Sequence, residues 1–132
     1  MNTITIIDDD KELLKLVRSF LNKKGFGVSV FTDWLTAIKN IRLYQPQLVI
    51  LDVFLKNFDG FEVCKRLKAN PFTRHIPVLM FSGFPKVADA AIYECGAREF
   101  ISKPFSIDEF MSKINHILPG SGSGLSSIYK YQ

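Results

Sequence analysis

Three aspartates in a row, Asp8, Asp9 and Asp10, close a short apolar run near the start of the chain. A fourth, Asp52, follows the run LVIL at residues 48–51. A charge ending so apolar a run is costly to bury unless something compensates it. Two more polar groups stand where apolar runs stop: Ser82 after PVLMF, and Lys103–Pro104 after EFIS. If these side chains converge, three carboxylates (Asp8, Asp9 and Asp52), a hydroxyl and an ammonium share one pocket. Two carboxylates about 4 Å apart repel by roughly 4 kcal/mol at an effective dielectric near 20. Left alone, such a cluster takes up protons. A divalent cation removes the conflict. Magnesium prefers oxygen ligands, keeps several waters, and is typically held by one or two carboxylates together with a phosphate. The chemistry that suits this set is a metal site that prepares Asp52 for phosphate chemistry, with Lys103 offsetting part of the remaining charge.

Taken singly, each residue has a plainer reading. Asp10 suits the cap of the helix that follows, with acids favoured at its positive end. Ser82 alone reads as a turn residue, and Lys103 as a surface charge. Only a shared place at the ends of strands argues for a site, so the elements must be found first.

Strands are expected at 3–7, 28–31, 48–51, 77–81 and 99–102, and helices at 10–24, 33–43, 61–68, 86–94 and 106–118. In the first helix Leu13, Leu14, Val17, Phe20 and Leu21 recur at helical spacing. Gly25 and Gly96 supply stops, and the second helix ends before Pro46. Ser106 with Glu109 forms a capping box. The unbroken apolar run 48–51 is what a strand covered on both faces requires. Strands alternating with helices give an α/β chain: one five-stranded parallel sheet, doubly wound, with five helices on its two faces. Right-handed crossovers leave few topologies. In such sheets ligands bind outside the carboxyl ends of the strands, where Asp8, Asp9, Asp52, Ser82 and Lys103 all stand.

The chain has 132 residues, 47% of them hydrophobic, with twelve phenylalanines. That suits one domain with an aromatic-rich core. No apolar stretch approaches the roughly 18 residues of a membrane span. No basic–apolar–small leader opens the chain. Cys64 and Cys95 lack metal-type spacing and read as small buried hydrophobes, which suggests a reducing, cytoplasmic setting. The net charge of +4 is scattered, without a helix-turn-helix or an aromatic–basic stripe, so direct nucleic-acid binding is not expected. Residues 1–118 are assigned to the domain. Residues 119–132 begin PGSGSG and read as a flexible linker or an added tail.

The segments IIDDD, LDVFLKNFDGFEVCKRLK, VLMFSG and AREFISKPF, spread in order over residues 3–118, resemble the receiver domain of two-component response regulators. Each segment is weak alone; jointly they are specific. The resemblance implies a flavodoxin-like sheet of strand order 2-1-3-4-5. It implies that Asp52 is the phosphoacceptor, and that Mg2+ (or Mn2+) is held by Asp9 directly, by Asp8 largely through water, by Asp52 and by the backbone carbonyl of Phe54. Ser82 and Lys103 would bind the phosphoryl oxygens, the Lys103–Pro104 peptide would be cis, and Phe100 would be the aromatic switch. Asp59–Gly60 matches the turn before the third helix. The implied donor is a histidine kinase or histidine phosphotransfer protein. The implied output is a change in the surface of helix four, strand five and helix five, read by an effector domain or a downstream protein. A homodimer on phosphorylation is a further expectation, as is the absence of turnover catalysis.

Three departures from the family pattern stand out. Lys56 occupies a place where proline is common, so the loop after Asp52 is expected to be less rigid. Phe100 lacks a tyrosine hydroxyl, so any switch works by packing alone. Phe54 and Phe84, two residues after Asp52 and Ser82, put large rings where they should hinder an attacking water, which predicts a long-lived phosphorylated state. Two other classes compete. A haloacid-dehalogenase-type phosphatase would need a second acid two residues after its nucleophile, where this chain has Phe54. A pseudo-receiver would bind a partner without accepting phosphate, although all five site residues are present.

Overall fold

The computed structural model of the protein describes residues 2–119. The linker assigned from 119 onward lies, apart from Pro119, outside the described residues. Five strands form one parallel sheet: β1 (Thr3–Ile7), β2 (Gly27–Phe31), β3 (Leu48–Asp52), β4 (Val78–Ser82) and β5 (Glu99–Ser102), in the order β2-β1-β3-β4-β5. The order reverses between β1 and β3, so the carboxyl ends of those two strands face a crevice. Pairing is in step across the sheet: Ile7 lies beside Leu51, Asp52 beside Phe81, and Ser82 beside Ser102.

Alternation along the strands explains the two cores. Ile4, Ile6, Leu48, Ile50, Leu79, Phe81 and Ile101 point to one face. There they meet α1 (Lys11–Lys23), through Leu14, Val17 and Leu21, and α4 (Ile107–Ile117), through Phe110, Ile114 and Ile117. Ile7, Val49, Leu51, Val78, Met80 and Phe100 point to the other face. They meet α2 (Trp34–Tyr44), through Trp34, Ala37 and Ile41, and α3 (Gly60–Ala69), through Val63, Cys64 and Leu67. Every residue of β3 and β4 is buried, as strands covered on both sides must be.

Caps set the helix boundaries. Asp10 Oδ1 accepts from Leu13 N at 3.1 Å, Asp33 Oδ1 from Thr36 N at 2.9 Å and Ser106 Oγ from Glu109 N at 3.0 Å. Gly25 (φ 95) and Gly96 (φ 85) take the left-handed conformation that lets the chain turn away from the preceding helix. At the end of α2 that conformation falls to Gln45 (φ 49), whose side chain donates to the carbonyls of Arg42 and Phe72.

One element differs from its sequence-based expectation. Residues 86–94 do not form a regular α-helix. They comprise a tight 3-10 turn, Pro85–Val87, and a π-helical segment, Ala90–Glu94, wound one residue wider than an α-helix. Neither piece has a side-chain cap. The wide turn closes with Cys95 N donating to Ala90 O at 3.1 Å and Ala97 N to Ala91 O at 2.9 Å. The apolar spacing marks a helix here, and no side-chain cap fixes its winding.

Candidate functional site

The site grows from the carboxyl ends of β1, β3, β4 and β5. Asp52 is the last residue of β3, and Asp8 follows β1 directly. Both carboxylates are buried, at 1% (Asp8) and 8% (Asp52) exposure. Lys103, one residue beyond β5, reaches both: its Nζ lies 2.8 Å from Asp8 Oδ2 and 3.3 Å from Asp52 Oδ2. The ammonium also lies 4.5 Å from the centroid of the Phe81 ring, a cation–π contact that holds it over the end of β4. The backbone N of Lys103 donates to Ser82 O at 2.7 Å, and the Lys103–Pro104 peptide is cis.

The remaining lone pairs are held by the main chain. Asp8 Oδ1 accepts from Asp10 N at 2.9 Å and Asp52 Oδ1 from Phe54 N at 3.2 Å. Asp9 stands apart from this pair. It is half-buried, and its Oδ2 accepts from the backbone N–H of Lys56, in the loop between β3 and α3. Ser82 is fully buried, and its Oγ accepts from Phe84 N at 3.1 Å.

Electrostatics follow from this geometry. Burial, then the charge of Asp8, push the Asp52 carboxyl up to about 6, against the opposing pull of Lys103. The Lys103 ammonium titrates above its ordinary value: burial works against the charge, and the bonds and attraction to Asp8 and Asp52 outweigh it. Counting all groups as ionised, Asp8, Asp9, Asp52 and Lys103 carry −3 + 1 = −2.

Among the described residues no three His, Cys, Asp or Glu side chains converge tightly enough to cage a metal by themselves. The donors on hand are hard oxygens, with an excess of two negative charges, and they suit a magnesium ion that keeps much of its water.

Phe54 and Phe84 pack edge to face on the rim, with ring centroids 5.2 Å apart at 77°. Both remain exposed, at 52% and 62%. Phe100 is buried in the cluster that includes Met80, Ala91 and Ala97, with Val87, Ala88 and Ile92 against it.

Three parts of the site were not singled out from sequence. Phe81 stands in the sequence only as part of the fourth strand's apolar run, and its ring face carries Lys103. Lys56 was noted only for not being proline. Gly60 marked a turn, and its proximity to Asp52 was not foreseen: a Cβ on it would lie 2.2 Å from Asp52 O and 2.7 Å from Val53 O. Only glycine lets the start of α3 press this closely on the backbone at the end of β3.

A doubly wound parallel sheet of order 2-1-3-4-5 with paired acids and a lysine at its carboxyl edge defines the flavodoxin-like class, with its candidate site at the strand ends. The chain belongs to the response regulator receiver domain family, which it matches over residues 4–115. It is 34% identical over 119 residues to the DNA-binding dual master transcriptional regulator RpaA of Synechocystis, covering 89% of this chain and 49% of that protein. It is 35% identical over 109 residues to the response regulator PleD of Caulobacter vibrioides, covering 82% of this chain and 24% of that one. The receiver domain of NtrX from Brucella abortus superposes with a TM-score of 0.80 at 30% identity, over 89% of this chain and 99% of that one. The chain spans about half the length of RpaA and about a quarter of PleD.

Proposed function

We propose that the chain is a phosphorylation-dependent switch in which Asp52 accepts a phosphoryl group from a phosphohistidine on a histidine kinase or phosphotransfer protein. The observation that carries this reading is one lysine shared by two buried strand-end carboxylates, at 2.8 Å and 3.3 Å. Such a site is accessible at its rim, and its excess of negative charge calls for a bound cation before a phosphoryl group can enter. Asp8, Asp9, Asp52 and the Phe54 carbonyl would hold Mg2+ (or Mn2+), which supplies charge neutralisation for the phosphoryl oxygens.

In the transfer an Asp52 oxygen attacks phosphorus, an O–P bond forms, the N–P bond breaks, and the electron pair leaves on the imidazole nitrogen. Ionised Asp52 is the competent form and predominates above a pKa of about 6. Lys103 already stands beside Asp52, so its ammonium pairs with a phosphoryl oxygen at little reorganisation. The Ser82 hydroxyl donates to another. The product is an acyl phosphate that serves as the signal rather than as a step in turnover.

The readout is a population shift involving Ser82, Phe100 and the surface of the segment 85–94, β5 and α4. Swinging a two-state mixture from 1:99 to 99:1 takes roughly 5.5 kcal/mol of differential interaction, and a phosphoryl group with several charge-assisted bonds supplies much of it. The recipient is an effector domain or a separate partner, in a cytoplasmic setting, with homodimerisation on phosphorylation as one output. Among the described residues no helix is long and apolar enough to cross a membrane.

Incubation with Mg2+ and a small acyl phosphate, followed by intact mass, is expected to show one added phosphoryl group that Asp52→Asn abolishes. A chain that gains no phosphoryl mass under these conditions defeats the reading. Phe54 and Phe84, two residues after Asp52 and Ser82 and packed edge to face on each other, further suggest a slow loss of phosphate. Replacing both with serine is expected to speed dephosphorylation in a timed assay; unchanged or slower decay rejects the shielding role.

A further inference from the structure

The Lys103 ammonium meets two kinds of neighbour. Two are carboxylate oxygens, Asp8 Oδ2 at 2.8 Å and Asp52 Oδ2 at 3.3 Å. The other is uncharged: the face of the Phe81 ring, whose centroid lies 4.5 Å from Nζ. They differ in what becomes of them once the site is in use. A divalent cation on the carboxylates competes with the ammonium for the same oxygens and repels it. A phosphoryl group joined to Asp52 removes the charge of that carboxylate. The ring face is left unchanged by either event, because its attraction comes from the π quadrupole and not from an ionised group.

The ring is fixed in place. Phe81 is buried, and it stands beside Asp52 where β3 pairs with β4 and beside Ile101 where β4 pairs with β5. Lys103 is two residues past Ile101, and its N–H continues the ladder by donating to Ser82 O at 2.7 Å. Alternation therefore returns the lysine to the face of the sheet that carries the ring. The Phe105 ring lies 6.1 Å from that of Phe81, tilted at 36°, and itself stacks on Phe110 of α4 at 5.0 Å and 16°. Phe110 is fully buried. A ring locked by such packing presents its face at no further cost in rotamer freedom.

We infer that Phe81 is a positioning residue for phosphoryl transfer to Asp52: its ring face keeps the Lys103 ammonium in the site while the carboxylates are otherwise engaged. The inference rests on the reading of Asp52 as the acceptor. The ring touches no reacting atom and acts through Lys103 alone. An aliphatic residue of similar bulk would leave the lysine to the carboxylates, so the role is graded: a contact of this kind is worth a factor of about three to ten.

Site-specific incorporation of mono-, di- and trifluorophenylalanine in place of Phe81 tests it, since fluorine keeps the shape of the ring and drains its face of negative potential in steps. The measured quantity is the initial rate at which the chain gains one phosphoryl group from a small acyl phosphate and Mg2+, followed by intact mass. The rate is expected to fall along the series, and to fall about three- to tenfold in Phe81→Leu. A slow Phe81→Leu beside a flat fluorinated series overturns the inference, because the ring would then serve packing only; equal rates throughout overturn it as well. No phosphoryl gain by the wild-type chain would overturn the acceptor reading, and this role with it. NMR of the phosphate-free chain, without and with MgCl2, reads the contact itself. The Lys103 methylene protons next to the ammonium are expected upfield of those of exposed lysines, displaced by the ring current, and to stay there when Mg2+ is added. In Phe81→Leu the displacement is expected to vanish. Wild-type Lys103 protons that coincide with those of exposed lysines, or that move to that position when Mg2+ is added, overturn the inference.

Discussion

The two crossovers that flank β4 are built in opposite ways. Between β3 and β4 the chain is tied at every step. Gly60 N bonds Val53 O, Phe54 pairs with Asp59, Asp59 caps α3, and Gly60 presses on the carbonyl of Asp52. Between β4 and β5 the chain runs through Gly83, where an added Cβ would meet nothing within 4 Å, into a 3-10 turn and a π-helical segment with no side-chain caps. Phe84 and Tyr93 stand exposed along it. The difference divides the labour of the site. Asp52, the proposed acceptor, sits on the fastened side, where such chemistry needs a fixed geometry. Ser82 leads into the loosely specified side, where a change of arrangement disturbs few bonds, as a bistable element requires.

The sharpest way to break this contrast is to add one methyl group on each side. Gly60→Ala drives a Cβ into backbone at 2.2 Å and 2.7 Å, and backbone cannot swing aside as a side chain can. The expected loss is about 3 kcal/mol, the upper end of the overpacking range. Gly83→Ala meets open space and removes freedom only from the unfolded chain. It is expected to lie within about 0.5 kcal/mol of wild type, toward greater stability. Urea unfolding of both variants checks the pair; equal losses would mean that the second crossover is as tightly built as the first.

A comparable effect is expected from the charge held on the fastened side. The folded-state pKa of Asp52 is raised to about 6 from 3.8. The folded state therefore holds a proton that the unfolded state has already released between those two values. Stability from this group is greatest at or below pH 4, falls as pH rises through 6, and is level above 7. Asp52→Asn removes the titration. The stability of the variant relative to wild type is expected to grow by about 2–3 kcal/mol from pH 4 to pH 8. A pH-independent difference between the two unfolding series would show that burial and the charge of Asp8 do not raise the carboxyl against the pull of Lys103.

The same contrast governs what could be read from the sequence. Asp52, Ser82 and Lys103 were legible because each ends an apolar run, and a parallel sheet gathers strand ends at one edge. Capping acids such as Asp10 and Asp33 were legible because their bonds span three residues. The division between Asp8 and Asp9 was not legible. Adjacent carboxylates are chemically alike, and only the pleat decides that Asp8 faces Lys103 while Asp9 faces Lys56. The donor of Lys56 was hidden for a different reason: a main-chain N–H leaves no mark in residue type beyond not being proline. Phe81 is legible only as part of an apolar run, and its contact with Lys103 joins strands β4 and β5 through register that spacing along one strand does not report. The winding of residues 90–94 was out of reach because α and π turns share nearly the same apolar spacing over so short a run.

The smallest expected effect compares the two helix starts. Asp59 Oδ1 accepts from Phe61 N at 2.8 Å, which satisfies one of the free N–H groups at the start of α3. Asp59→Ala leaves that donor to water and is expected to cost about 1 kcal/mol. Asp89 precedes the π-helical segment but is itself helical (φ −64, ψ −42), so it does not stand at a cap and its side chain makes no capping bond. Asp89→Ala is therefore expected to fall within about 0.5 kcal/mol of wild type, as for surface substitutions away from such features. Denaturant midpoints measured side by side resolve a difference of this size. A loss at Asp89 matching that at Asp59 would mean that the segment 85–94 is held by a cap in solution, and the proposed division between a fixed acceptor side and a pliant output side would have to be redrawn.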